Sequence, residues 1–176
     1  MTRGLVALGH QVTAVDESEE MLAHVTGAQR VPADIRGLDL GRRFPVVVMA
    51  SHLANTADDD DRAALLAACG RHVAPDGVVL LETHEPEWAP TDSATERDGI
   101  GFALRDVRRD GPFVEATVEY RAGRRAWRHA FRVRVLTDEE LGRELEAAGL
   151  RIRRRLGPRG AWVEAAPRGL RPGRGG

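Results

Sequence analysis

A short run of β-branched residues, Gln11-Val-Thr-Ala-Val-Asp16, ends in a carboxylate. A strand-end acid in this setting can accept two hydrogen bonds from a vicinal diol, such as the ribose of a nucleoside, and such charge-assisted bonds are the strong ones. An ordinary helix cap is the plain alternative, but Ser18 already fills that place ahead of Glu19 and Glu20. Asp34 ends a second short run, Arg30-Val-Pro-Ala-Asp34, and can accept from an amino group or simply close a strand. Beyond the apolar run Phe44 to Ala50 come Ser51, His52, Leu53 and Asn55, and beyond Val78-Val-Leu-Leu-Glu82 come His84, Glu85 and Trp88. Histidine and carboxylate at strand ends are proton acceptors when they face a cleft. His52 leads on position, and a strand-end histidine bonded to backbone is its structural alternative. No HExxH or similar spacing points to a metal, and the single cysteine, Cys69, excludes disulfides within the chain and multi-cysteine metal sites.

The elements that must hold these groups alternate. Thr2 to Leu8 reads as a helix ended near Gly9, and Ser18 caps a helix carrying Met21, Leu22 and Val25. Pro32 confines its strand to an edge. The continuous apolar run Phe44 to Ala50 predicts a strand covered on both faces. Asp58-Asp-Asp-Asp61 places four acids at the positive end of a helix running to Val73. Pro75-Asp-Gly77 predicts a turn, and Val78 to Glu82 a further buried strand. Strands alternating with helices imply βαβ units and a parallel sheet, which binds ligands beyond the carboxyl ends of its strands.

After Pro86 the pattern changes. Glu87 to Arg97 reads as a loop. Period-two alternation over 101–136, broken at Gly111-Pro112 and Ala122-Gly123, predicts an antiparallel meander. Thr137-Asp-Glu-Glu140 is a capping box for a helix to Ala148, and a closing strand pair surrounds Gly157-Pro158. The expected organisation is an α/β core over 1–88, a meander over 89–136 covering the mouth of the site, a helix and strands over 137–166 completing the core, and a disordered tail over 167–176.

The 176 residues suit one domain, with 42% hydrophobic and 30% charged residues. All 26 basic residues are arginine, and the formal net charge is −1. Residues 1–96 carry seven arginines against sixteen acids, and 97–176 carry nineteen against eleven. The basic half has no aromatic-interleaved motif, so nucleic acid is not expected as a partner. Neither a membrane-length apolar run nor a cleavable leader is evident, so no membrane partner is expected and a cytoplasmic location is the default.

Taken in order, these segments resemble the class I S-adenosylmethionine-dependent methyltransferases. Leu8 to Leu22 resembles the family's second motif, Ala33-Asp34-Ile35 its adenine-side motif, and Phe44 to His52 its fourth-strand motif. His72 to Leu81 resembles the helix-turn-strand that follows, and Leu136 to Leu150 the family's late helix. The resemblance implies a Rossmann-like parallel sheet, with the meander as an insertion, and S-adenosyl-L-methionine as cofactor. It implies cofactor contacts from Asp16, Ser18, Met21, Asp34, Ile35, Ala50 and Ser51. His52 is then the candidate base, and His84, Glu85 and Trp88 would meet a small-molecule methyl acceptor. The turn Ala50-Ser51-His52-Leu53 lacks the prolines and aromatic found in some family members acting on nucleobase or glutamine amino groups, which favours small molecules. One departure stands out. The family's first strand and glycine-rich loop have no counterpart here, since Gly4 and Gly9 follow a helix. The sheet is therefore expected to have a gap at its centre, and the activity of the chain as given stays open. Two other readings remain at this point: a nicotinamide- or flavin-binding domain, and a non-catalytic methyltransferase-like domain.

Overall fold

The structure, a computed structural model, describes residues 1–169. Helix α1 (Thr2–Ala7) leads to strand β1 (Thr13–Asp16), helix α2 (Glu19–Ala23) and strand β2 (Gln29–Pro32). β1 and β2 pair in parallel, from Thr13 opposite Gln29 to Asp16 opposite Pro32, and form a sheet of their own. Pro32 lies at the end of this ladder, where its missing N–H costs least.

Strand β3 (Phe44–Met49), helix α3 (Asp59–His72) and strand β4 (Val73–Glu82) follow. β3 and β4 are parallel, with Val47 opposite Val79 and Met49 opposite Leu81. Helix α4 (Asp138–Ala147) and strands β9 (Leu150–Leu156) and β10 (Trp162–Pro167) close the unit, giving a four-stranded sheet ordered β3-β4-β10-β9. β10 runs antiparallel to both neighbours. β1 and β3 therefore each lack a hydrogen-bonded neighbour on one side among the described residues.

The core lies between this sheet and the two long helices. Val79, Leu81, Val163 and Ala165 meet Leu65, Leu66, Cys69, Leu141 and Leu145, all buried. The sequence predisposes both helices to start where they do. The Asp58 side chain accepts from the Asp61 N–H at the head of α3, and Thr137 and Glu140 exchange side-chain and backbone bonds at the head of α4. Gly70 lets the helices approach closely, because a Cβ there would stand 2.3 Å from the Ala148 carbonyl oxygen. Burial raises the Cys69 thiol to about 12, so it is inert packing.

The meander contains strands β5 (Ser93–Arg97), β6 (Ile100–Asp110), β7 (Phe113–Ala122) and β8 (Arg125–Arg134), in that order across an antiparallel sheet.

The parallel strands lie in two sheets, which is the gap at the sheet's centre that the sequence predicts. Several other expectations are corrected. β3 is not covered on both faces: Val47 packs against the core, whereas Val46, on the opposite face, is 50% exposed. The segment Pro75-Asp-Gly77 is not a turn between elements but an irregular stretch inside β4, where the register with β3 shifts between Phe44 and Val46. The loop expected over 87–97 contains β5, and all five of its residues are exposed. The tail does not begin at 167: Pro167 ends β10, and the Arg168 N–H donates to the Gly149 carbonyl at 2.8 Å. Residues 170–176 of that expected tail lie outside the described residues.

Candidate functional site

Two adjoining features lie beyond the carboxyl ends of β1 and β3. The first is a cleft of about 270 Å³ lined by Asp16, Glu17, Asp34, Ile35, Arg36, Leu53, Thr56, Asp61 and Leu65. Asp16 is aimed by its own turn, since Oδ1 accepts from the Ser18 N–H at 2.9 Å. Among the described residues Oδ2 accepts from nothing, so this oxygen is available to a ligand.

Asp34 is placed differently. Its Oδ1 accepts from the Arg36 N–H and Nε, both at 2.9 Å, and its Oδ2 from Arg36 Nε at 3.0 Å and Nη2 at 2.8 Å. A carboxylate has about four acceptor sites, and three N–H groups of one arginine occupy both oxygens of Asp34. The side-chain bonds from Arg36, then its backbone N–H, hold the Asp34 carboxyl below the usual range. Nη1 of Arg36 reaches Asp61 in the first turn of α3 at 2.9 Å, so the guanidinium spans the cleft wall. Its own proton is held harder than usual, by Asp34 first and Asp61 second.

The second feature is a stack of rings at the end of β4. The His52 and His84 rings lie 4.1 Å apart, 12° from parallel, and His84 and Trp88 lie 3.7 Å apart, 10° from parallel. Burial, and then the proximity of His52, lowers the His84 pKa to about 3, so His84 is neutral at ordinary pH. His52 Nδ1 is buried and, among the described residues, has no hydrogen-bond partner.

The turn carrying His52 is strained. Ser51 (φ 61°) and His52 (φ 53°) both lie in the left-handed region, at a cost of ~1–2 kcal/mol per non-glycine residue. Glu82, at the end of β4, holds the turn: its Oε2 accepts from the Ser51 N–H at 2.7 Å, and its Oε1 lies 3.9 Å from His52 Nε2. Next comes a single-turn 3-10 helix, Leu53–Asn55. Leu53 lines the cleft and His52 joins the stack, so one turn separates the two features.

Of the expected cofactor residues, the structure brings Asp16, Asp34 and Ile35 into the cleft. Ser18 caps α2 by accepting from the Met21 N–H, and Met21 is 60% exposed away from the cleft wall. Ala50 and Ser51 belong to the turn rather than to the cleft lining. His52, His84 and Trp88 do come together. Glu85 contributes a carbonyl to the Trp88 N–H at 2.9 Å. Leu53, placed beyond the apolar run by the sequence, does line the cleft, whereas Glu17, Arg36, Thr56, Asp61 and Leu65 were missed as lining residues. Asp61 had a signal, as part of a helix-initiating acidic run; Arg36 had none. No cluster of three or more metal-ligating side chains occurs among the described residues.

Two parallel β–β pairs, the second packed on α3, a strand-end acid facing a cleft, and an antiparallel closing strand define an α/β fold of the methyltransferase type. Residues 1–81 match the methyltransferase domain family model. The fold is shared with a solved S-adenosylmethionine-dependent methyltransferase from Clostridium acetobutylicum (TM-score 0.76, 17% identity, 93% of this chain and 77% of that one). It is shared also with Streptomyces venezuelae DesVI (TM-score 0.71, 25% identity, 88% of this chain and 73% of that one). Over 105 residues the chain is 35% identical to a dTDP-3-amino-3,4,6-trideoxy-alpha-D-glucopyranose N,N-dimethyltransferase of Streptomyces venezuelae, covering 55% of this chain. That match spans 40% of the relative's length. Residues 1–81 thus match the methyltransferase domain family, and the fold of the described residues is that of the S-adenosylmethionine-dependent methyltransferases.

Proposed function

We propose that this protein transfers a methyl group from S-adenosylmethionine to a small-molecule acceptor, and that the acceptor atom is an amino nitrogen on a sugar. The carrying observation is Asp16: a carboxylate at the end of β1 with one oxygen open to a cleft whose apolar wall is Ile35, Leu53 and Leu65. These residues fit the nucleoside part of the cofactor, with Asp16 on the ribose diol and the aliphatic wall against the adenine faces. Asp34 fits the adenine amino group only if Arg36 gives up part of its grip. The sugar amine is suggested by the name of the 35% identical relative.

When bound, the cofactor would supply a methyl group already activated on a sulfonium, transferred in line to the acceptor as the C–S bond breaks and the neutral thioether leaves. The protein's own contribution is alignment, worth up to ~7–11 kcal/mol in well-oriented systems. An amine that arrives as an ammonium must first lose a proton. His52, at the mouth beyond β3, is placed to take it, a contribution of ~10²–10⁴-fold. His84 is too weak a base to compete, and with Trp88 it forms a flat wall for the acceptor.

The test is cofactor binding followed by transfer. Calorimetric titration with S-adenosylmethionine should show Asp16→Ala weakening affinity by ~1.5–3 kcal/mol, the range for a hydrogen bond to a charged group. Unchanged affinity removes Asp16 from the site and the proposal with it. Incubation with a nucleotide-linked amino sugar should give an N-methylated product, and His52→Gln should lower the rate with little change in cofactor affinity.

A further inference from the structure

Asn55 is 1% exposed and sits three residues after His52. Its Nδ2 donates to the Arg134 carbonyl at 2.8 Å, and its Oδ1 accepts from the His84 N–H at 2.9 Å. Both partners are backbone groups of fixed polarity, so the amide can face only one way. Its own N–H donates to the His52 carbonyl at 2.8 Å. One side chain therefore joins the turn after β3, the segment after β4 and the last residue of β8.

The need for such a joint follows from the sheet. β4 is laddered to β10 as far as Glu82 opposite Trp162, and the Thr83 N–H reaches the Ala161 carbonyl at 2.8 Å. His84 is the first residue past that support, and the bond that takes over comes from Asn55. On the meander side, Thr56 bridges Val133, and the Arg134 guanidinium continues to Asp59 and Glu140. Arg109 of β6 donates to the Trp88 carbonyl at 3.1 Å, fixing the other end of the stacked segment.

We infer that Asn55 is a positioning residue of the mouth: it sets His84, and through ring contact Trp88 and His52, in fixed relation to the meander. The functional weight of this rests on the mouth being the acceptor side, but the geometry does not. No group of Asn55 is directed to an acceptor; it acts through the rings.

The test is NMR on the 176-residue chain without cofactor, following His84 amide exchange and the His84 ring-proton shifts. In the unmodified protein the amide should be protected and the ring protons shifted upfield by Trp88. Asn55→Leu, similar in size but unable to bond, should speed His84 exchange by at least ~10-fold and abolish the upfield shift. Asn55→Asp keeps an acceptor for the His84 N–H, so it should retain both signatures while speeding exchange at Val133 and Val135. An unprotected His84 amide in the unmodified protein overturns the inference without any variant. So does an Asn55→Leu protein with the stack intact, or an Asn55→Asp protein that loses it. Should Asn55→Leu not fold, the unmodified and Asp proteins still decide. Failure of S-adenosylmethionine to bind would count against the proposed function and leave these NMR outcomes as they are.

Discussion

Arg62 and Arg36 are the same chemical group tied to the same helix end, in different media. Arg62 is 1% exposed. It grips Glu144 of α4 through Nε at 2.6 Å and Nη2 at 2.8 Å, Asp59 at 2.6 Å and the Thr56 carbonyl at 2.6 Å. Burial works against its charge, but the bonds to Glu144 and Asp59 outweigh that and hold the proton harder than usual. Arg36 pairs with Asp34 and with Asp61, two residues on from Asp59, and both of its partners are about half exposed. Arg62 is out of reach of water and depends on these partners for its hydrogen bonds, so it serves as a structural tie between α3 and α4. The exposed pair is screened and exchangeable, which suits the wall of a ligand cleft.

The contrast can be broken first at Arg62. Arg62→Ala should cost ~1.5–3 kcal/mol in urea unfolding, because the bonds from one buried guanidinium to Glu144, Asp59 and the Thr56 carbonyl are lost together. Replacing Arg62 and Glu144 together by Met and Leu should recover much of that loss. A small effect of the single change would mean the two arginines do not differ in kind.

Acid extends the contrast to His84, a partly buried base. The folded His84 value of about 3 lies below its ordinary 6.5, so the unfolded chain takes up a proton that the folded one refuses. This contribution to stability is present above pH 6.5 and lost as pH falls from there toward 3. The loss should be ~2–3 kcal/mol by pH 4.5 at about 1.4 kcal/mol per unit. Glu140, lowered by its Thr137 backbone bond and then by Arg134, adds its own loss only nearer the carboxylate range. Denaturant unfolding against pH checks this, and His84→Gln should flatten the slope between pH 6.5 and 4.5.

The smallest effect is expected at Arg36. Arg36→Gln should leave the melting temperature unchanged, since exposed pairs contribute little. It should free Asp34 and tighten S-adenosylmethionine binding, more at low salt than at high. Weaker binding would make Arg36 a cofactor ligand instead of a competitor for Asp34.

Much of the fold was legible because its signals are local. The acids of 58–61 and the capping box at Thr137 mark helix starts whose partners lie within one turn. Asp16 and Ser18 were readable for the same reason, and so was the alternation of β6, β7 and β8. β5 was not, because Ser93–Arg97 has no buried side and is a strand only through its ladder to β6. The exposure of Val46 was hidden too: an apolar run cannot reveal that its second face has little cover. At the site, His52, His84 and Trp88 could each be placed beyond a strand, but not in one stack.

The sequence by itself determined the order of the elements other than β5, the caps that start the helices and the acid that ends β1, since each depends on residues a few positions apart. Tertiary structure decided which carboxylate is open and which is closed: Asp16 keeps a free oxygen, while Arg36 covers Asp34 and reaches Asp61 twenty-five residues on. It also decided that Asn55 joins segments 29 and 79 residues away. The pairings across 25 to 79 residues depend on how the sheets and helices pack, and no spacing along the chain encodes them.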